Sequence, residues 1–195
     1  MRHRLGILAA VLSLALATPA LAGHHLWDIT EIYSNGDGSV QFVELFTADN
    51  NEQGVGPFNV TASGNTASFG GVNLPTSATA NTWILMATSN FASQSGGITP
   101  DYLLPTHFFN TGGGTMNYAG VDIWAYGKVP TDGVNSLQRN GSTAVNSPRN
   151  FAGASGSVNL GISTPGFQSW GLILLVGALL LAASGLLRRR PELAA

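Results

Sequence analysis

Two neighbouring histidines near the start of the chain have the spacing needed to bind a transition metal. They are His24 and His25, directly after Gly23. If processing makes Gly23 the first residue, its amine, the next two backbone nitrogens and the His25 imidazole can hold Cu(II) or Ni(II) in a square plane. If it makes His24 the first residue, the amine and ring of His24 can hold copper. The alternative is an N-terminal segment whose histidines bind no metal.

Acidic side chains around a predicted hairpin form the second candidate site. Glu31, Asn35, Asp37 and Glu44 flank or lie within the turn sequence SNGDG. Their oxygens can bind Ca²⁺, although the spacing does not match an EF-hand loop. Glu31 and Glu44 can alternatively act as a general acid and base. The simpler interpretation is a solvated turn with two glutamates at strand edges.

Other candidates for chemistry are weaker, and no cofactor is predicted. The triplet Gly112-Gly113-Gly114 is followed by neither Lys-Ser nor Lys-Thr, so we interpret it as a loop tip and not as a phosphate-binding loop. His107 has no nucleophile motif beside it. Seven aromatic residues can either stack on carbohydrate or fill a sandwich core, and the core is favoured: Trp83, Tyr102, Phe108, Phe109, Tyr118, Trp124 and Tyr126.

The segments that must position these residues are predicted to be strands. They are short, rich in β-branched and aromatic residues, and separated by Gly, Asn, Ser and Pro, a pattern typical of an all-β sandwich or barrel. The first two should form a hairpin. The predicted strands are 26–33, 40–46, 58–62, 66–69, 82–88, 121–126 and 134–139.

Composition narrows the possible partners of the middle of the chain. Residues 23–169 carry three basic side chains and nine acidic ones, a formal charge of −6 compared with −2 for all 195 residues. An acidic surface repels phosphates, so nucleic acid is not expected as a partner. The chain has no cysteine, which excludes disulfides and zinc–thiolate sites.

Both ends of the chain have the pattern of targeting segments. Residues 1–22 combine a basic start, a short apolar run and small residues at Ala20 and Ala22, typical of a cleaved signal peptide. Residues 170–187 are uncharged and long enough for one transmembrane helix, and Arg188, Arg189 and Arg190 follow. We therefore predict a domain over 23–140, a flexible Gly/Ser/Asn-rich linker over 141–166, a membrane segment over 167–190 and a tail over 191–195. The alternative for the linker is that Phe151 and Val158 dock on the domain and extend it.

Two resemblances extend this interpretation. The sequences ITEI at 29–32, QFVEL at 41–45, WILMA at 83–87 and SLQR at 136–139 are similar to bacterial lamin-tail-like domains. That resemblance implies an immunoglobulin-like β-sandwich without catalytic activity. The segment 164–171, TPGFQSWG, resembles exosortase-type sorting signals of the IPTL and PEP kind through Pro165, Trp170 and Gly171, with the arginine cluster behind it. It implies removal of the tail by an exosortase-like enzyme.

Together these features favour an exported, non-catalytic module of the bacterial envelope or extracellular matrix. It would be held by the membrane or sorted to the cell surface, with an extracellular polysaccharide or an envelope protein as its partner. The alternative is a secreted enzyme or metal protein that uses Glu31, Asp37 and Glu44, or His24 and His25.

Overall fold

The described part of the chain is built entirely from strands, turns and irregular segments. A computed structural model describes residues 23–161, which contain ten strands and no helix. The all-β prediction is confirmed, and the two sheets are consistent with a β-sandwich. The strands are β1 Asp28–Ser34, β2 Gln41–Thr47, β3 Asn59–Ala62, β4 Asn65–Ser68, β5 Thr82–Thr88, β6 Tyr102–Leu104, β7 Gly114–Tyr118, β8 Asp122–Tyr126, β9 Asn135–Gln138 and β10 Thr143–Val145.

The predicted hairpin is formed by β1 and β2. The strands pair antiparallel, and the Asn35 amide donates to the Val40 carbonyl at 3.0 Å to close the turn. The Asn35 side chain accepts the Val40 amide at 3.0 Å, and Gly38 takes a φ of 74°, a conformation that favours glycine. The turn chemistry of the sequence therefore specified this element correctly.

The ten strands divide between a six-stranded and a four-stranded sheet. The larger has the order β10-β9-β1-β2-β5-β6 and the smaller β4-β3-β7-β8. Every pairing is antiparallel except that between β5 and β6. Strands β6, β7 and β10 were not predicted. Gly114 begins β7, so only Gly112 and Gly113 of the glycine triplet belong to the loop before it.

The main core fills the space between the sheets. A bulge at Thr30 turns Ile29 and Ile32 toward the same side of β1, although three positions separate them. They pair with Leu45 and Val43, which are also fully buried. Five of the seven aromatics belong to this core, as predicted: Phe108, Phe109, Tyr118, Trp124 and Tyr126.

The predicted linker is wrong over residues 141–159. These residues belong to the first of two compact units of the chain, which ends at Asn159. Strand β10 pairs with β9, and Val158 is fully buried. We call residues 146–158 the strap. Small and polar residues can form an ordered segment when neighbouring elements satisfy their backbone groups, and composition does not reveal this.

Several predictions lie outside the described residues. They are the signal peptide with Ala20 and Ala22, the sorting residues Pro165, Trp170 and Gly171, and the arginines at 188–190. Within residues 23–161 no helix is long and apolar enough to cross a membrane.

Candidate functional site

Glu31 and Glu44 lie side by side on the outer face of the six-stranded sheet, the face turned away from the other sheet. They are direct cross-strand partners in β1 and β2. Both side chains are buried, with 1% and 2% of their surfaces exposed. The simpler interpretation of the sequence placed these glutamates at strand edges beside a solvated turn. In the structure the strap covers both of them. Two carboxyl groups so placed need hydrogen-bond donors.

The strap supplies donors from alternate residues of its backbone. The Ser147 amide donates to Glu31 Oε1 at 2.9 Å, and its hydroxyl donates to Glu31 Oε2 at 3.0 Å. The Arg149 amide donates to Glu44 Oε2 at 2.8 Å.

The series continues to a third acid, Asp101, just before β6. The Phe151 amide donates to Asp101 Oδ2 at 2.9 Å, and the Leu85 amide of β5 donates to the same oxygen at 2.9 Å. We call Glu31, Glu44 and Asp101 the carboxylate ladder. Its three members receive the amides of residues 147, 149 and 151, so the strap crosses the sheet with every second N–H aimed at an acid.

Burial makes two carboxyls of the ladder hard to ionise. It raises the pKa of Glu44 to about 7, with a further contribution from the neighbouring Glu31. Hydrogen bonds from Thr30 and Arg149 oppose that shift. Burial likewise raises the pKa of Asp101, against the effect of its two amide donors. Glu44 therefore changes protonation close to neutral pH.

The ladder ends at a cleft where the edges of the two sheets meet. The cleft has a volume of about 420 Å³ and lies beside the edge strand β6 and the loop that follows the edge strand β4. Its lining is mainly apolar: Val72, Leu74, Pro75, Tyr102, Phe151 and Ala152, with Asn73 and Asp101 as its polar members. Phe151 and Ala152 come from the strap, so docking of the strap builds one wall.

The predicted calcium site around the hairpin is not assembled. Asp37 is exposed in the turn, where its Oδ1 accepts the Ser39 amide at 2.9 Å. Hydrogen bonds from Ser39 lower the pKa of Asp37. Glu31 and Glu44 meet each other but not Asp37, and residues 23–161 contain no group of three acidic or histidine side chains able to hold a metal.

The N-terminal histidines are packed against the domain. The His24 ring stacks on Phe58 with centroids 3.5 Å apart and lies 3.9 Å from the His25 ring. Burial and the neighbouring His25 lower the pKa of His24. The Gly23 nitrogen donates to the Asn51 carbonyl at 2.7 Å. A square-planar metal site needs the lone pair of this nitrogen as a free amine, and only cleavage ahead of Gly23 supplies that.

An ion pair between the partly exposed Arg139, the last residue of the SLQR segment, and the buried Asp122 joins the two sheets. Arg139 donates to both carboxylate oxygens of Asp122 on β8, at 2.6 and 3.0 Å. Asp122 also accepts the Ile29 amide of β1 at 2.7 Å. Arg139 lies over the Trp124 ring, 5.4 Å from its centroid. This geometry gives Arg139 and Asp122 a structural role.

Sequence reasoning missed Asp101, Asp122 and the strap amides that donate to the acids. Neither aspartate lies in a recognisable motif, and their backbone partners are distant in sequence. One signal was present: both faces of β2 carry apolar residues, which indicated that the outer face would be covered.

Comparison of the chain with protein-family models, curated proteins and solved structures gives no match.

Proposed function

We propose that this chain is an exported, non-catalytic interaction module of the bacterial cell envelope or extracellular matrix. Its β-strand domain would act outside the cytoplasm and bind an extracellular polysaccharide or an envelope protein. The immunoglobulin-like arrangement and the lamin-tail relationship implied by the sequence motifs belong to this proposal. The two-sheet architecture supports the first of these.

One observation carries the proposal: the buried carboxylates serve the fold. Glu31, Glu44 and Asp122 each accept at least one backbone amide. A general acid or base needs an oxygen directed at substrate in an open site. The Glu31–Glu44 pair, the strongest acid–base candidate in the sequence, instead faces the strap. Binding thus remains the activity that the domain supports best.

The two ends of the sequence support the proposed location. A basic, then apolar, then small-residue pattern over 1–22 predicts export, and the apolar run with three arginines predicts a membrane stop. The motif around Pro165, Trp170 and Gly171 suggests that an exosortase-like enzyme removes the tail. The mature protein would then reach the cell surface or the surrounding matrix.

Mass spectrometry of the protein from separated fractions of its native cells tests this proposal. We expect an N-terminus at Gly23 and, in the surface fraction, a C-terminus ahead of residue 172. A chain that keeps Arg188–Arg190 in the membrane fraction would reject sorting but keep anchoring. A full-length chain with Met1 in the soluble cytoplasmic fraction would overturn the proposal.

A second measurement tests interaction itself. Cells that lack the gene are incubated with the purified full-length protein, washed and assayed for retained protein. We expect saturable retention. Retention equal to that of an unrelated acidic protein would argue against an interaction module.

A further inference from the structure

The cleft between Val72, Tyr102 and Phe151 has the composition of a small ligand site. Sites for small molecules are concave, about 300–1,000 Å³ in volume, and mostly apolar with a few polar groups that fix orientation. The cleft fits this description with about 420 Å³ and two polar residues, Asn73 and Asp101.

The walls of the cleft are fixed by hydrogen bonds before any ligand arrives. The Tyr102 hydroxyl donates to the Val72 carbonyl at 3.0 Å across the cleft. The Tyr102 ring packs edge-on against the buried Phe69 with centroids 4.7 Å apart. On the opposite wall, the Phe151 amide is held by Asp101. A preformed site loses little conformational entropy on binding.

The polar groups offer one donor and one acceptor. Asn73 Oδ1 accepts the Gly56 amide at 2.9 Å, while within residues 23–161 its Nδ2 donates to no protein atom. Asp101 uses Oδ2 for both of its amide donors, which leaves Oδ1 as an acceptor. No lysine, arginine or histidine lines the cleft, so nothing there attracts an anion.

These features together match a sugar better than an ion. A hydroxyl both donates and accepts hydrogen bonds, so it can use Asn73 and Asp101 at once. The C–H face of a sugar ring packs against apolar and aromatic side chains such as Tyr102 and Phe151. A full cation is less well matched, because two amide donors already balance much of the Asp101 charge.

We propose that this cleft binds a neutral sugar residue of an extracellular polysaccharide. The proposal rests on the interaction function proposed above and names the ligand class and its site. It also makes the strap part of the binding site, since Phe151 and Ala152 form one wall. The sugar would lie against Phe151 and Val72 and exchange hydrogen bonds with Asn73 and Asp101.

The test uses the full chain in a detergent that has no sugar headgroup. The probes are neutral tetrasaccharides of glucose, mannose and N-acetylglucosamine, with a lysine-rich peptide as the cationic probe. Affinities are measured by calorimetry. We expect at least one tetrasaccharide to bind and the peptide not to bind. Binding of the peptide alone, or of none of the probes, would overturn the sugar proposal.

A matched pair of valine variants locates the site. Val72 and Val145 are exposed to a similar extent, 62% and 58%, but Val145 lies on the opposite edge of the six-stranded sheet. We expect Val72→Asp to weaken sugar binding at least tenfold, because it adds a charge to an apolar wall. Val145→Asp should leave affinity within twofold. Equal affinities in the two variants would place any sugar site elsewhere.

A third variant tests the aromatic wall while the backbone contact stays in place. Phe151→Leu keeps an apolar side chain and the amide that Asp101 accepts, but removes the ring. We expect about a threefold to tenfold loss of affinity with an unchanged unfolding midpoint. Unchanged affinity would overturn the stacking role of Phe151. Cell-surface retention that survives Val72→Asp would refute this site while the broader interaction function stands.

Discussion

The two faces of the six-stranded sheet are both buried, but they are covered in different ways. The inner face presents Ile29, Ile32 and Leu45 to the four-stranded sheet. The outer face presents Tyr33 and Phe42 together with the acids of the carboxylate ladder, and the strap covers the acids. The inner face is therefore mainly apolar, with Gln41 as a buried polar member, whereas the outer face mixes aromatic rings with buried carboxyl groups.

The difference follows from the backbone of the covering element. The strands of the four-stranded sheet pair with one another, so most of their backbone groups need no acceptor from the inner face. The strap lies across the outer face without a strand partner there, so its N–H groups need other acceptors. Glu31, Glu44 and Asp101 supply them. An irregular cover thus requires hydrogen-bond acceptors beneath it, and over the strands of this sheet three acids supply them.

Truncation of one buried side chain on each face should give the largest loss of stability. It tests whether the outer face is as tightly packed as the inner one. Phe42 is fully buried between Tyr33 and Phe91, with ring centroids 5.4 and 5.5 Å away. We expect Phe42→Ala and Leu45→Ala each to lower the free energy of unfolding by about 3 kcal/mol, because each leaves a cavity. Urea unfolding followed by tryptophan fluorescence measures both. A cost below about 1 kcal/mol for Phe42→Ala alone would mean that the outer face is loosely covered.

Loss of the Arg139–Asp122 ion pair, which links the two sheets, should give the next largest loss of stability. Arg139→Ala leaves Asp122, which is only 7% exposed, without its cation. We expect a loss of about 2 kcal/mol in the free energy of unfolding. The matched control is Lys128→Ala, which removes an exposed charge and should change stability by less than about 0.5 kcal/mol. Similar losses in the two variants would show that the ion pair does not hold the sheets together.

The carboxylate ladder on the outer face should make the stability of the domain depend on pH. The pKa of Glu44 is about 7 when folded, above its ordinary value of 4.5, so the folded chain binds the proton more tightly. Stability should therefore be highest below about pH 4.5 as far as Glu44 is concerned, should fall by about 1–2 kcal/mol between about pH 4.5 and 7, and should change little above that range. Urea unfolding at pH 5 and pH 8 measures the difference.

The variant Glu44→Gln tests whether the pH dependence of stability comes from Glu44 or from another carboxyl group. The amide can accept the Arg149 N–H and donate to the Thr30 hydroxyl, so the strap should stay docked while the pH dependence shrinks. Asp49→Asn, at an exposed position, should leave it unchanged. A pH dependence that persists in Glu44→Gln would assign it to another group, such as Asp101.

The smallest effect concerns the side chain of Arg149 in the strap. The Arg149 guanidinium lies 4.3 Å from the centroid of the Trp83 ring on the outer face. We expect Arg149→Ala to cost about 0.5 kcal/mol, the usual value of an exposed cation–π contact. Hydrogen exchange of the strap amides should rise slightly while that of β1 and β2 stays constant. A loss above about 2 kcal/mol would mean that Arg149 anchors the whole strap.

Much of the fold could be predicted from the sequence, because residues close together in the chain specify most of its strands. The turn SNGDG and the β-branched runs on either side of it predicted the β1–β2 hairpin, and the run TWILMAT predicted β5 with its correct limits. The short strands β6 and β10 escaped detection, because three residues are too few to show an alternation. Their pairing with longer neighbours decides their conformation.

The candidate site was predictable only in part. Glu31 and Glu44 were identified as neighbours, since a hairpin brings opposite positions together. Their burial was not, because the element that covers them lies more than a hundred residues further along the chain. Polar, glycine-rich composition predicted a linker there, with docking of Phe151 and Val158 only as the alternative, and the cleft wall formed by Phe151 and Ala152 was not predicted.

By itself the sequence determined the strand-forming segments, the first hairpin, the absence of thiol chemistry and the acidic balance of the domain. These depend on residue types and on contacts between near neighbours. Only the tertiary structure decided what the acids do. Whether a carboxylate faces water, a metal or a backbone amide depends on which distant segment covers it. Here that segment lacks a strand partner over the acids, so its N–H groups turn to Glu31, Glu44 and Asp101.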